Sequence, residues 1–193
     1  MNSLHKLLVS NSKKMKGVQP ESVHLVVTSP PYPMIAMWDE IFSLQNKIIK
    51  SFLDKNNGPK AFEWMHRELD KVWEEIDRVL VNDGIACINI GDATRTIDGN
   101  FQLFSSHSRI ISKFIDLGFI NLPNIIWRKP TNSPTKFMGS GMYPPGAYVT
   151  LEHEYILIFR KGGKRLFKSQ NDKISRRESS YFWEERNVWF SDV

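Results

Sequence analysis

The stretch Thr28-Ser29-Pro30-Pro31-Tyr32-Pro33 brings a hydroxyl, proline-flanked carbonyls and an aromatic ring within six positions. Each proline has a fixed φ and no N–H, so the backbone beside Ser29 offers carbonyl acceptors with few competing donors, in a stiff arrangement. Such a site suits an exocyclic amino group, which carries two donor hydrogens. Tyr32 adds a flat face on which a nucleobase can stack, worth roughly 1–3 kcal/mol per base in single-strand binding proteins. Hydroxyl, carbonyl and ring together describe a pocket for a base that has left its duplex. Pro30 to Pro33 also has the P-x-x-P spacing of a polyproline ligand, and a plain proline-rich turn has the same composition.

The elements around this stretch decide what it can do. Val23 to Thr28 is a run of apolar and β-branched residues that reads as a strand leading into it, and His5 to Ser10 reads as another short strand. Between Met37 and Leu53 lies a mixed helical stretch, ended by the turn signal Asn56-Asn57-Gly58-Pro59. Phe62, Met65, Leu69, Val72, Trp73, Ile76, Val79 and Leu80 recur at spacings of three and four, which predicts one face of a long helix closed by Asn82-Asp83-Gly84. Ile85 to Ile90 reads as a buried strand leaving through Gly91-Asp92. Ile110, Ile111, Phe114, Ile115 and Leu117 form a further helix face stopped at Gly118, where a left-handed cap suits glycine. Phe119 to Trp127 and Tyr155 to Phe159 read as the last strands. Alternating strands and helices predict an α/β sheet with helices packed on its faces. Ligands of open α/β sheets sit beyond the carboxyl ends of the strands, which here hold Ser29-Pro30-Pro31-Tyr32 and Gly91-Asp92.

Composition excludes a disordered chain: 41% of the 193 residues are hydrophobic and 24% charged. No apolar run is long enough to span a bilayer and the first residues lack a signal-peptide pattern, so the cytoplasm is the expected location. The single cysteine, Cys87, sits in a strand-like segment and is expected to be a buried, inert thiol. The five histidines show no metal-ligand spacing, and no metal is expected. The net charge of +5 is localised: Arg128 to Lys168 holds eight Lys/Arg against two acids, whereas Lys60 to Asp83 holds seven acids against four bases. The first segment suits a polyanion and the second does not, although solvated surface lysines have the same composition.

TSPPY after a strand resembles the catalytic motif of the amino-methylating DNA methyltransferases, which act on cytosine N4 or adenine N6. The helix-turn-strand WEEIDRVLVNDGIACINIGD and the later IIWRKP and HEYIL segments are similar to the same family, so the likeness spans roughly residues 4 to 168. It implies a catalytic region over 1–168, followed by the start of another segment at 169–193. The implied fold is a partial Rossmann-like class I methyltransferase sheet with helices on both faces. By position, Ser29 and the Pro30 carbonyl would hold the target amino group, Pro31 would stiffen the loop, and Tyr32 would stack on the flipped base. A serine in the first position resembles the cytosine-N4 branch more than the adenine-N6 branch. Double-stranded DNA is the implied partner, with Lys129, Lys136, Tyr143, Arg160, Lys161, Lys164 and Arg165 facing it, and a restriction-modification system the implied setting. A catalytically silent DNA-binding module, or methylation of RNA or a protein amide, are the competing readings.

The implied cofactor is S-adenosylmethionine, and its glycine-rich loop is not found. Phe137-Met138-Gly139-Ser140-Gly141 matches F-x-G-x-G, but KPTNSPTK before it and MYPPG after it cannot form the strand and helix that such a loop needs. Asp92 either binds a polar cofactor group or caps the segment that follows. In family members with this motif order the cofactor strands come later in the chain. Tyr181, Phe182, Trp183, Val188, Trp189 and Phe190 crowd the last thirteen residues, so a truncated or split enzyme is expected. Its incomplete sheet would pair an exposed edge with a second polypeptide, or with a missing C-terminal half that carries the cofactor loop.

Overall fold

The computed structural model describes residues 4–129 and 151–163. Four strands form one sheet: β1 (Val23–Thr28), β2 (Leu80–Ile90), β5 (Phe119–Arg128) and β6 (His153–Lys161), in the order β1-β2-β6-β5. β1 and β2 are parallel, while β6 runs antiparallel to both β2 and β5. The crossover from β1 to β2 carries three helices, α1 (Asp39–Gln45), α2 (Lys47–Asp54) and the long α3 (Gly58–Val79). A small hairpin of β3 (Ala93–Ile97) and β4 (Asn100–Phe104) follows β2, and α4 (Ser106–Asp116) leads into β5.

Local chemistry explains these boundaries. Asn57 caps α3 by accepting a hydrogen bond from the Lys60 N–H at 3.2 Å, and Pro59 occupies the first turn, where its missing N–H costs nothing. The expected helical stretch from Met37 to Leu53 is divided. Asn46 takes an extended backbone that ends α1, and its side chain accepts from the Ile48 N–H to start α2. Gly118 follows α4 with φ +87°, the left-handed stop that the sequence predicts.

The core lies between α3, α4 and one face of the sheet. Ala86, Ile88 and Ile90 of β2 and Leu157 and Phe159 of β6 are buried there, at the alternate positions that a strand directs to one side. Phe114 of α4 stacks on Phe159 at 4.1 Å between ring centroids and lies 5.5 Å from Trp73 of α3. Burying each such side chain contributes roughly 1.5–3 kcal/mol. Cys87 faces the other way and is only half-buried, which still pushes its thiol pKa up.

Two sequence expectations change. Residues 4–9 carry no regular structure, and Leu4, Leu7 and Val9 are exposed. A strand needs a hydrogen-bonded neighbour, and among the described residues none pairs with this segment. Asn82-Asp83-Gly84 does not close α3, which has already ended at Val79, but lies inside the eleven-residue β2. Asp83 adopts φ +67° and the β1–β2 register slips between Val23 and Leu25, so the turn residues make an irregularity within the strand.

Chain preceding β1 is tied to α3 by charge. Lys13 Nζ, Lys71 Nζ and Asn46 Nδ2 all donate to the buried Glu68 carboxylate. Burial alone would raise the Glu68 pKa, but these bonds bring it down to about 2. Arg78 donates to the carbonyls of Met15 and Val18, and the Met15 N–H donates to Glu75.

Candidate active site

Ser29, Pro30, Pro31 and Tyr32 leave the carboxyl end of β1 beside the end of β2, because Thr28 is in register with Ile88. The loop is anchored by Met34, whose side chain is buried in the core and whose N–H points to the Met65 sulfur at 3.4 Å. Met34 takes φ +67°, an unfavourable region for a non-glycine residue that its burial among core side chains maintains.

At that end Tyr32 belongs to a polar cluster drawn from four segments. Its hydroxyl donates to Glu154 Oε2 at 2.9 Å and accepts from Asn89 Nδ2 at 2.9 Å. Asn89 Nδ2 also lies 2.8 Å from Glu154 Oε2, and Lys129 Nζ donates to Glu154 Oε1 at 2.5 Å. Ser29 Oγ is 3.3 Å from the Tyr32 hydroxyl. A cavity of about 380 Å³ opens here, walled by Ser29, Pro30, Tyr32, Trp38 and Glu154 among others.

The electrostatics follow from this packing. The Tyr32 phenol pKa is pushed up to about 12, first by burial; the Ser29 hydrogen bond opposes this and the neighbouring Glu154 carboxylate adds to it. Burial would also raise the Glu154 pKa, but hydrogen bonds from Lys129, Asn89 and Tyr32 outweigh it and hold the group below the usual carboxylate range. At neutral pH the cluster is therefore a neutral phenol donating to a carboxylate whose counter-ion is Lys129.

Gly91 makes the close approach possible. A Cβ there would lie 3.0 Å from Tyr32 Cε2 and 3.3 Å from Glu154 Cγ. Gly91→Ala is expected to lower stability by about 1–3 kcal/mol through overpacking, measured as the shift of the urea midpoint. An unchanged midpoint would mean that ring and carboxylate move aside without cost.

The other expected site residues are dispersed. Asp92 is buried and accepts from the His107 backbone N–H at 3.1 Å, while its other oxygen is 2.7 Å from His107 Nδ1. It caps the start of α4, and its oxygens are engaged. Lys129 joins the cluster just described and also lies over the Trp127 ring at 4.4 Å. Arg160 and Lys161 are at the far end of β6, roughly 20 Å along the strand from Glu154, and Arg160 is in register with Ile85 and Ile120. Lys161 Nζ donates to the carbonyls of Asp77 and Leu80, where α3 ends, and pairs with the Asp77 carboxylate. Lys136, Tyr143, Lys164 and Arg165 lie outside the described residues.

The sequence readings above assign no role to Asn89 or to Glu154. A signal for Asn89 was present: an amide between two isoleucines in a strand needs a hydrogen-bond partner when half-buried. For Glu154 no local signal exists, since its partners are 25, 65 and 122 positions away.

Comparison with known proteins gives consistent results. Residues 23–193 match the model of the N6/N4 DNA methylase family. The type II methyltransferase M.MthZI of Methanothermobacter thermautotrophicus is 56% identical over 194 residues, covering 100% of this chain and 55% of that protein. M.MjaI of Methanocaldococcus jannaschii, also a type II methyltransferase, is 52% identical over 98% of this chain and 65% of its own length. This chain thus spans just over half to about two thirds of these curated relatives. A putative DNA modification methylase of Thermus thermophilus, solved in complex with S-adenosyl-L-methionine, superposes with a TM-score of 0.62 at 33% identity, over 84% of this chain and 58% of that one. With its motif at the end of β1 and a family match over most of its length, the chain belongs to the N6/N4 DNA methylase family.

Proposed function

We propose that this chain carries the base-binding region of an S-adenosylmethionine-dependent DNA methyltransferase that acts on the exocyclic amino group of a flipped base, with cytosine N4 the favoured target. The observation that carries this is the cavity at the end of β1, where Ser29, the proline backbone and the Tyr32 ring converge. An amino nitrogen conjugated with its ring is a poor nucleophile. Hydrogen bonds from its N–H groups to the Ser29 hydroxyl and the Pro30 carbonyl would favour the pyramidal form with an available lone pair. The target must leave the duplex to reach these groups, at a cost of a few kcal/mol that stacking on Tyr32 offsets. Lys129 and the basic residues 136, 164 and 165 would neutralise phosphates and make binding salt-dependent.

S-adenosylmethionine supplies a methyl group on a sulfonium centre. In this reading the described residues would form one wall of its site. Thr28 to Pro31 border a second cavity of about 410 Å³ whose lining includes Val26, Leu69, Trp73 and Glu68. Glu68 on that lining already accepts from Lys13, Lys71 and Asn46. We place the remainder on a second polypeptide segment that pairs with β1. Among the described residues this strand pairs only with β2, which leaves its other edge open, and Leu25 and Val27 are 57% and 73% exposed on one face of it.

The test is transfer of labelled methyl from S-adenosylmethionine to duplex DNA by the chain, alone and co-expressed with the product of the neighbouring reading frame, followed by nucleoside analysis. N4-methylcytosine is the expected product. N6-methyladenine would overturn the preferred target, and no transfer from either preparation would leave a catalytically silent DNA-binding module.

A further inference from the structure

We propose that Glu154 is a positioning residue for Tyr32, and that its pairing with Lys129 makes the placement of the ring depend on that cation. The inference rests on the reading of Tyr32 as the surface on which a base stacks.

Three of the roughly four acceptor positions of the Glu154 carboxylate are taken by protein donors. One oxygen receives the Tyr32 hydroxyl and the Asn89 amide, and the other receives the Lys129 ammonium. Both oxygens are thus engaged in holding neighbouring side chains. These bonds fix a torsion that a tyrosine otherwise explores. Together with Asn89 they hold the phenol oxygen, while the absence of a Cβ at Gly91 lets ring and carboxylate approach the end of β2. Three strands meet at this point: Asn89 on β2, Lys129 directly after β5, and Glu154 on β6. Their register makes the meeting possible, because Asn89 opposes Ile156 and Trp127 opposes Glu154 across the same sheet.

Ordering a ring before the base arrives removes that cost from binding. Immobilising one such side chain corresponds to about a three- to tenfold change in affinity. Lys129 adds dependence on its surroundings. A phosphate that drew the ammonium away would leave Glu154 with only its Tyr32 and Asn89 bonds, so anion binding at Lys129 and the stiffness of the ring are coupled.

The experiment uses the full 193-residue chain with two measurements. The ring signals of Tyr32 are followed by NMR with labelled tyrosine and assigned through Tyr32→Phe. Binding of fluorescent single-stranded dC12 and dA12 is followed by anisotropy. Glu154→Ala is expected to displace and broaden the Tyr32 signals and to weaken dC12 about three- to tenfold. Glu154→Gln, which still accepts from the phenol, is expected to retain most of both. In a Tyr32→Phe background Glu154→Ala is expected to add little, because the link runs through the hydroxyl. An equal loss in both backgrounds, or Tyr32 signals unmoved by Glu154→Ala, overturns the proposal. If neither oligonucleotide shifts Tyr32 in the unsubstituted chain while Glu154→Ala still displaces its signals, the positioning role stands and the base-stacking reading fails.

Discussion

Ser29→Ala is expected to lower the rate of methyl transfer by about 10²–10³-fold, the loss found when one preorganised hydrogen-bonding group is removed from a reacting centre. DNA affinity is expected to stay within about threefold. The separation follows from the geometry. Ser29 Oγ is only one of three polar neighbours of the Tyr32 hydroxyl, at 3.3 Å, while Asn89 and Glu154 both lie at 2.9 Å. Removing the serine leaves the ring held, so the stacking surface survives and the group facing the amino nitrogen is lost. The measurement is single-turnover transfer beside equilibrium binding, in the assembly that shows activity. A variant that loses affinity in proportion to rate would place Ser29 among groups that bind DNA uniformly, and the amino-group role would fail.

Acid stability supplies the second large effect, and its origin is His66. This side chain of α3 is fully buried, edge-on to Phe62 at 4.4 Å between ring centroids, and neither ring nitrogen has a hydrogen-bond partner among the described residues. Burial, with a smaller contribution from the Arg109 charge, lowers its pKa to about 3. The unfolded chain takes up a proton near the ordinary histidine value of about 6.5, and the folded chain does not until about pH 3. Folded-state stability is therefore undiminished above about pH 6.5 and falls below it, by about 1.4 kcal/mol per pH unit from this residue. His66→Leu removes the titrating group without breaking a hydrogen bond. It is expected to match or exceed the parent in stability at pH 7 and to flatten the decline between pH 6 and pH 4. Urea midpoints across that range decide the matter: parallel profiles for parent and variant would show that His66 is not the source. Glu68, whose pKa is depressed to about 2, adds its own loss at lower pH, as the carboxylate is protonated and its bonds to Lys13 and Lys71 weaken.

Much of this molecule is legible residue by residue. The apolar spacing in α3, the Asn-Asn-Gly-Pro break after α2, the glycine after α4 and the β-branched run of β1 each act within a few positions, and each appears where local chemistry predicts. The β3–β4 hairpin was equally readable, through Asp98-Gly99 with φ of +49° and +76° between alternating residues, yet it has no place in the strand-helix alternation that drew attention. Readings failed where a neighbour distant in sequence decides. His5 to Ser10 has the composition of a strand, but a strand exists only when something pairs with it. Asn82-Asp83-Gly84 has turn chemistry, yet it interrupts β2 without ending it, because β1 pairs on either side of it, at Leu80 and at Ile85.

Composition and order of residues alone determined that a hydroxyl, a proline carbonyl and a ring would leave a strand together, since adjacent positions cannot be separated by folding. Tertiary structure alone decided what surrounds them. It set Asn89, Glu154 and Lys129 around the Tyr32 hydroxyl, turned Asp92 towards His107, and carried Arg160 and Lys161 to the other end of the sheet. The physical reason is register. A strand fixes which residue opposes which across the sheet, and that pairing depends on the whole set of strands and on no local run of residues.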